Sequence, residues 1–402
     1  MAIKRVRVED LRPGMFIHDL ACGWLDHTFI RSRFMLRREG QIEKVKAQGI
    51  RELYIDTSRG DDVPEAPTQA EVQQALTARL LDSGGDTPAL EQPRIARREE
   101  APAARRILGE AAGVIGGLLQ DARLGRQLEP AKARPLVKAM HASVTRNPGA
   151  LISLGRIKQA DTYTFQHSVS TCALLVSFCH ALGMDAATVE EAGLGALLHD
   201  VGKMKIPDAI LNKPGKLTAA ELAIMRTHAS LGPELLAEIP GLSPLVIQIA
   251  AEHHEQVAGG GYPRGLSGPE ISELGRMTAI VDVYDALTSD RIYHAKSEPT
   301  AVLKRLLEWS HVQLDHDLVQ QFIRTLGIYP VGSLVRLASG RLAVVSDQGE
   351  NLLRPMVRVV FDSGAGTALA PFDLDLASSG SEQIVDYEEP ADWNLNPADH
   401  LG

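Results

Sequence analysis

The chain reads as a mainly α protein: a helical-bundle core flanked by a small N-terminal α+β module and a small β-rich C-terminal appendage. Three observations carry that reading. From about residue 103 to 328, apolar residues recur at helical spacing almost throughout. Ahead of this core, residues 1–60 hold short alternating runs around a Pro-Gly-Met turn. Behind it, residues 329–402 carry alternating apolar runs punctuated by glycines.

In the front module, IKRVRVEDL and MFIHDL alternate as strands do, a charged helical stretch follows, and RELYIDT closes as a strand. Residues 61–102 are rich in Pro, Asp, Glu and Ala and poor in large apolar groups. They read as a mobile linker, apart from a helix around Ala70–Leu81. In the core, Thr218 with Glu221 makes a capping-box signal for a helix through Leu236. Ser243-Pro244 is an N-cap followed by proline at the first helical position. A helix over Glu270–Asp290 puts Leu274, Met277, Val281 and Tyr284 on its core face, with Asp282 beside that stripe. In the tail, VGSLVRLASGRLAVVSDQ and PMVRVVFDS read as β-hairpins. Neither a repeat nor a glycine-rich phosphate loop is present in the sequence.

Of the 402 residues 44% are apolar, and the net charge of −9 comes from interspersed acids and bases. That pattern argues against a duplex nucleic-acid partner and against a polybasic membrane surface. The start, MAIKRVRVED, lacks the apolar run of a signal peptide, and His, Asp or Ser breaks each later apolar stretch, so the expected location is cytoplasmic with no membrane partner. Cys22, Cys172 and Cys179 lack CxxC spacing, which disfavours a disulfide framework or a zinc cluster.

The chemistry gathers on a set of histidines and aspartates. His199-Asp200 ends an apolar run, and His167, His199, His228 and the pair His253-His254 succeed one another at intervals of about 25 to 32 residues, with Asp282 beyond. Each interval suits one helix and its connection, so all can project into a bundle. Buried imidazoles and carboxylates are costly without partners, which favours a metal centre over a chance arrangement. The nitrogen and carboxylate donors suit iron, manganese or another divalent transition metal better than calcium. Two ions fit seven candidate ligands, with Asp200 able to bridge them. Lys203 follows one turn later, where its ammonium can meet a phosphate oxygen. His141, His180 and His311 read as isolated histidines without a role.

At this point the strings LLHDVGKMKIPDAILNKPGKLT, HHEQVAGGGYP and IVDVYDALTSDRIYH resemble the HD-GYP domain, a branch of the HD metal-dependent phosphohydrolases, over about residues 155–325. The front string VEDLRPGMFIHDL resembles an N-terminal domain of unknown function that often precedes it. The resemblance implies an HD-type helical core and hydrolysis of cyclic di-GMP to linear pGpG and, in some members, to GMP. It also implies that His167, His199, Asp200, His228, His253, His254 and Asp282 bind two metal ions, iron or manganese. Lys203 and Arg291 then meet substrate phosphate, and Gly261, Tyr262 and Pro263 border the site. Asp200 and Lys203 are the catalytic candidates, Asp200 by holding a water that the two ions activate for in-line attack. Implied partners are cyclic di-GMP, a diguanylate cyclase or other signalling protein, and a second copy in a homodimer.

Three positions depart from the family pattern. Tyr163 stands where some members carry a glutamate that helps hold a third metal, which favours two ions here. Gln256 and Ala258 replace a charged pair ahead of the GYP string, which implies a more loosely anchored loop. His294 replaces a lysine that often touches substrate. Two other function classes stay open: a cyclic di-GMP receptor or interaction module with weak catalysis, and a hydrolase of another cyclic dinucleotide or of pGpG.

Overall fold

The computed structural model describes residues 2–21, 33–47, 49–83, 95–155, 163–289, 297–349 and 351–401, with the backbone alone at Tyr163 and Thr164. In chain order the first elements are β1 (Ile3–Arg7), β2 (Phe16–Asp19), β3 (Phe34–Met35), α1 (Glu39–Lys46), β4 (Glu52–Asp56) and α2 (Gln69–Asp82). The helical run continues with α3 (Arg97–Arg123), α4 (Arg134–Arg146), α5 (Pro148–Gly155), α6 (Tyr163–Ala181), α7 (Ala186–Leu198), α8 (Asp208–Leu211) and α9 (Ala219–Arg226). Then come α10 (His228–Ala237), α11 (Pro244–Glu252), α12 (Glu273–Thr288), α13 (Pro299–Trp309) and α14 (His316–Leu326). The chain ends in β5 (Leu334–Leu337), β6 (Arg341–Asp347), β7 (Met356–Asp362), β8 (Thr367–Asp375) and β9 (Ile384–Tyr387). Packing divides it into two compact units, residues 1–79 with 207–226, and residues 80–206 with 227–402. Among the described residues no helix is long and apolar enough to cross a membrane.

The first unit is built on an antiparallel sheet in the order β1-β4-β2-β3. Ile17, Leu53 and Ile55 from its strands pack with Ile42 and Val45 of α1 in one apolar cluster. Strand alternation and helical spacing therefore deliver one buried face each. Residues 207–226 belong to this unit and include α9, where Thr218 and Glu221 form the expected reciprocal cap. The helix ends at Arg226 and α10 restarts at His228, instead of running unbroken through Leu236. A capping pattern marks where a helix begins and carries no information about where it stops.

The second unit holds the helical bundle. Its α7 lies closely against its neighbours because Gly193 and Gly195 leave room: a Cβ on Gly193 would stand 2.7 Å from Val137 and 2.8 Å from Val176, and one on Gly195 would stand 2.6 Å from Ile249. Ser243 caps α11 through the Leu245 amide, with Pro244 in the first turn. Helix α12 begins at Glu273, later than expected, because Ser267 and Glu270 cap a separate 3-10 turn and Ser272 then caps α12. Leu274, Met277, Val281 and Tyr284 are buried along it. Cys172 and Cys179 are buried free thiols in α6, and burial pushes both thiols up, Cys179 to about 12. Cys22 lies outside the described residues.

The helix expected around Ala70–Leu81 is α2, and the first turns of α3 add further helix to the stretch read as a linker. Alanine explains this, since it favours helix while adding little apolar bulk to the composition. After α14 an antiparallel sheet in the order β8-β7-β6-β5-β9 closes over Leu334, Leu342, Val344 and Val360. Arg97 ties the start of α3 to this region, its amide donating to Asp347 at 2.8 Å and its guanidinium to the Ser346 and Leu401 carbonyls. Gly193→Val should lower stability by about 1–3 kcal/mol through overpacking, read as a reduced urea midpoint with an unchanged slope.

Candidate metal centre

Five helix ends or faces of the second unit converge on one buried point. His167 comes from the second turn of α6, and His199 caps the C-terminus of α7. Asp200 opens the 3-10 turn Val201–Lys205, His228 starts α10, His253 caps the C-terminus of α11 with His254 next to it, and Asp282 lies on α12. Glycine makes the convergence sterically feasible. A Cβ on Gly202 would collide with the His228 carbonyl oxygen and stand 2.5 Å from the Gly232 amide, so the turn after His199-Asp200 can touch α10 only without a side chain there.

The donors form two clusters. Asp200, His228, His253 and His254 make one, and His167, His199 and Asp282 make the other; within each, the ligand atoms lie within 4.8 Å of one another. Asp200 joins them. Its Oδ1 lies 3.4 Å from His228 Nε2 and 3.7 Å from His253 Nε2, while its Oδ2 lies 3.4 Å from His199 Nε2 and 3.6 Å from His167 Nε2. His167 Nε2 also meets Asp282 Oδ1 at 2.9 Å, and His254 Nδ1 lies 3.8 Å from Asp282 Oδ2.

These residues fit divalent cations. His199 Nε2, Asp200 Oδ1 and His254 Nε2 are buried atoms with no hydrogen-bond partner among the described residues, all three in this centre. Unpaired buried donors and acceptors are rare enough to demand a cause, and a coordinated ion supplies one. Tautomers agree as well. His199 Nδ1 donates to the Ala196 carbonyl at 2.7 Å and His253 Nδ1 to the Ala250 carbonyl at 2.9 Å, which leaves each Nε2 lone pair facing inward.

Electrostatics favours the binding forms of Asp200, Asp282, His253 and His254, with His199 the exception. Burial pushes Asp200 up, but Lys203 and His199 outweigh it and hold its carboxyl well below the usual carboxylate range. Asp282 is likewise held well below that range against burial, by its hydrogen bond with His167. Burial, joined by neighbouring His253 and His228, pushes His254 well below the usual imidazole range, and burial lowers His253 too. His199 moves up, since Asp200 and Asp282 overcome its burial. Ionised carboxylates and neutral imidazoles are the forms that bind metal.

The structure brings together all seven residues read from the sequence as metal ligands, with Lys203 donating to Asp200 Oδ2 at 2.5 Å. Tyr262 joins them, its ring 4.7 Å from that of His254 and tilted by 32°. Gly261 and Pro263 flank it in the loop, where a Cβ on Gly261 would stand 2.5 Å from the Glu255 Cα and 2.6 Å from the His254 carbonyl oxygen. Arg291, His294 and the side chain of Tyr163 lie outside the described residues.

Three acids that sequence reasoning passed over also belong here. Asp285 Oδ2 accepts from His167 Nδ1 at 2.7 Å, and Glu252 and Glu255 are buried beneath the GYP loop. The signal for Asp285 was its place one turn beyond Asp282 on the same helix.

Two measurements follow from this geometry. Asp285→Asn should weaken metal affinity about ten- to hundredfold by removing the carboxylate that orients His167, as read by metal titration of the apoprotein. Metal uptake should also fall as pH drops, starting above the usual imidazole value of about 6.5 because the pKa of His199 is raised from it. His199, whose pKa is raised in the apoprotein, takes up its competing proton first, whereas His253 and His254, whose pKa values are lowered, resist protonation to lower pH. Uptake that strengthens towards acid pH would contradict this order.

Comparison with known proteins gives the centre its context. The model of an HD domain matches residues 150–318, and that of a domain of unknown function, DUF3391, matches residues 3–133. Over 402 residues the chain is 40% identical to a cyclic di-GMP phosphodiesterase of Pseudomonas aeruginosa, covering 99% of this chain and 95% of that protein. It is 37% identical over 184 residues to a cyclic di-GMP phosphodiesterase response regulator of Xanthomonas campestris, covering 42% of this chain and 47% of the relative. A 3'3'-cGAMP-specific phosphodiesterase of Vibrio cholerae is 32% identical over 179 residues, which covers 44% of this chain and 39% of that relative. With a relative of this identity along nearly its whole length and the HD pair set in a His/Asp cluster, the chain belongs to the HD-GYP family of metal-dependent cyclic di-GMP phosphodiesterases.

Proposed function

We propose that this chain hydrolyses cyclic di-GMP to linear pGpG, using two divalent ions, iron or manganese, held by His167, His199, Asp200, His228, His253, His254 and Asp282. The observation that carries the reading is the division of Asp200: one oxygen faces each donor cluster. An aspartate shared in this way would serve both clusters as a common ligand, and five imidazoles with two carboxylates suit iron or manganese. When bound, such ions supply Lewis acidity, lowering the pKa of a water and offsetting charge on the phosphate.

The chain's own groups do the rest. The Ala196 and Ala250 carbonyls hold the Nδ1 protons of His199 and His253, and Asp285 holds that of His167, so three rings present Nε2 without further reorientation. Lys203, partly exposed and adjacent to Asp200, donates to a nonbridging phosphate oxygen, with Arg291 as a second phosphate donor. Tyr262 forms an aromatic wall beside His254, against which a guanine base or the ribose can lie. Hydrolysis adds one water across a phosphodiester, freeing a ribose 3'-hydroxyl and leaving a 5'-phosphate.

Full-length protein purified anaerobically and loaded with iron or manganese should contain two ions per chain and consume cyclic di-GMP faster than 3'3'-cGAMP or pGpG. Asp200→Ala should lose turnover by at least about a thousandfold while keeping its fold, because both clusters lose their common ligand. Normal turnover in that variant sinks the reading. Tight cyclic di-GMP binding without hydrolysis by the loaded protein makes it a receptor instead.

A further inference from the structure

The loop carrying Gly261-Tyr262-Pro263 was expected to be loosely anchored, because Gln256 and Ala258 replace charged residues. The structure shows dense anchoring by other means. Glu255, only 3% exposed, accepts from the Arg264 amide through Oε1 at 2.8 Å and from the Leu266 amide through Oε2 at 2.9 Å. Glu252, 2% exposed, accepts from Arg264 Nη2 at 2.8 Å, and its other oxygen takes the Ser272 amide at 2.8 Å and the Ser272 hydroxyl at 2.6 Å. The chain after Pro263 is thus tied to two acids, one ending α11 and one three residues beyond it.

Backbone contacts complete the clamp. The Val257 and Ala258 amides donate to the Gln313 and Val312 carbonyls, both at 3.1 Å, and the Gly268 amide donates to the Val257 carbonyl at 2.9 Å. Inside the loop the Tyr262 amide donates to the His254 carbonyl at 3.1 Å. That bond, with Glu255 gripping the residues just after Pro263, leaves the Tyr262 ring against His254.

We propose that Glu255 is a positioning residue for substrate: by holding the Arg264 and Leu266 amides it fixes Tyr262 as a preformed aromatic wall of the phosphodiester site. The role rests on the functional reading above and extends it to a residue that touches neither metal ligand atoms nor substrate. A carboxylate buried with both oxygens on backbone amides of one loop cannot be replaced by an isosteric amide without setting an N–H₂ against an N–H donor. The loop then gains alternative positions, and substrate loses a ready surface.

The test compares Glu255→Gln, Tyr262→Ala and the double variant in the full-length, metal-loaded protein. Glu255→Gln should raise KM for cyclic di-GMP about tenfold with kcat within about threefold and the metal content unchanged. Tyr262→Ala should raise KM similarly, and the double variant should be no worse than Tyr262→Ala alone, because one residue acts through the other. Arg264→Ala, which removes only the Glu252 contact, should give a smaller rise. Hydrogen exchange provides a readout independent of substrate: the Arg264 and Leu266 amides should be protected in the parent protein and lose protection in Glu255→Gln. An unchanged KM, additive effects in the double variant, loss of metal in Glu255→Gln, or unaltered exchange at those amides each overturns the role. Absence of cyclic di-GMP turnover in the parent protein sinks the functional reading, and exchange then decides the clamp by itself.

Discussion

Everything at this centre depends on burying two carboxylates and five imidazoles around one point in a helical core. Removing charge from water is costly, and attraction inside the protein offsets it only when partners are close and well oriented. Asp200 bears most of this constraint. It is buried, it faces four imidazoles, and in this structure its nearest cation is Lys203 at 2.5 Å. Asp282 leans on His167 in the same way. The bundle tolerates the cluster because each acid is held by a donor, Asp200 by Lys203 and Asp282 by His167.

Close backbone approach is the second requirement, and it explains why glycine appears at places that have no chemistry of their own. Gly193 and Gly195 let α7 settle against α4, α6 and α11, which sets His199 at the depth of His253. Gly202 then allows the turn after Asp200 to touch α10 at the backbone of His228. Helix packing at this separation converts sequence spacing of a few tens of residues into donor atoms a few ångströms apart.

The sequence made the ligand set legible because metal donors are chemically distinctive and recur at helix-length intervals. His167, His199, Asp200, His228, His253, His254 and Asp282 could all be picked out that way, and the structure gathers them. Their supporting acids could not. Asp285 sits in plain view beside Asp282, but its partner His167 lies on another helix, and only packing shows that the two meet. The tethers of the GYP loop were hidden for the same reason: Gln256 and Ala258 are the visible departures in the string, whereas the anchoring comes from Glu252 and Glu255 acting on backbone amides. The association of residues 207–226 with the front module also arises from long-range packing, which local patterns do not encode.

The buried acids of this unit separate into two kinds, and the distinction carries chemical meaning. Glu252 and Glu255 have both oxygens accepting from protein donors, and Glu100 does the same with Ser143 and Arg146. A carboxylate satisfied on both oxygens fixes neighbouring chain and has no acceptor capacity to spare. Asp200 differs, since its Oδ1 has no hydrogen-bond partner among the described residues although it is buried among imidazole nitrogens. Leaving such an oxygen open is destabilising in an apolar interior, and at Asp200, set among imidazole nitrogens, a coordinated cation would complete it. By that criterion the acids beneath the GYP loop serve geometry, and Asp200 keeps an oxygen open to a cation.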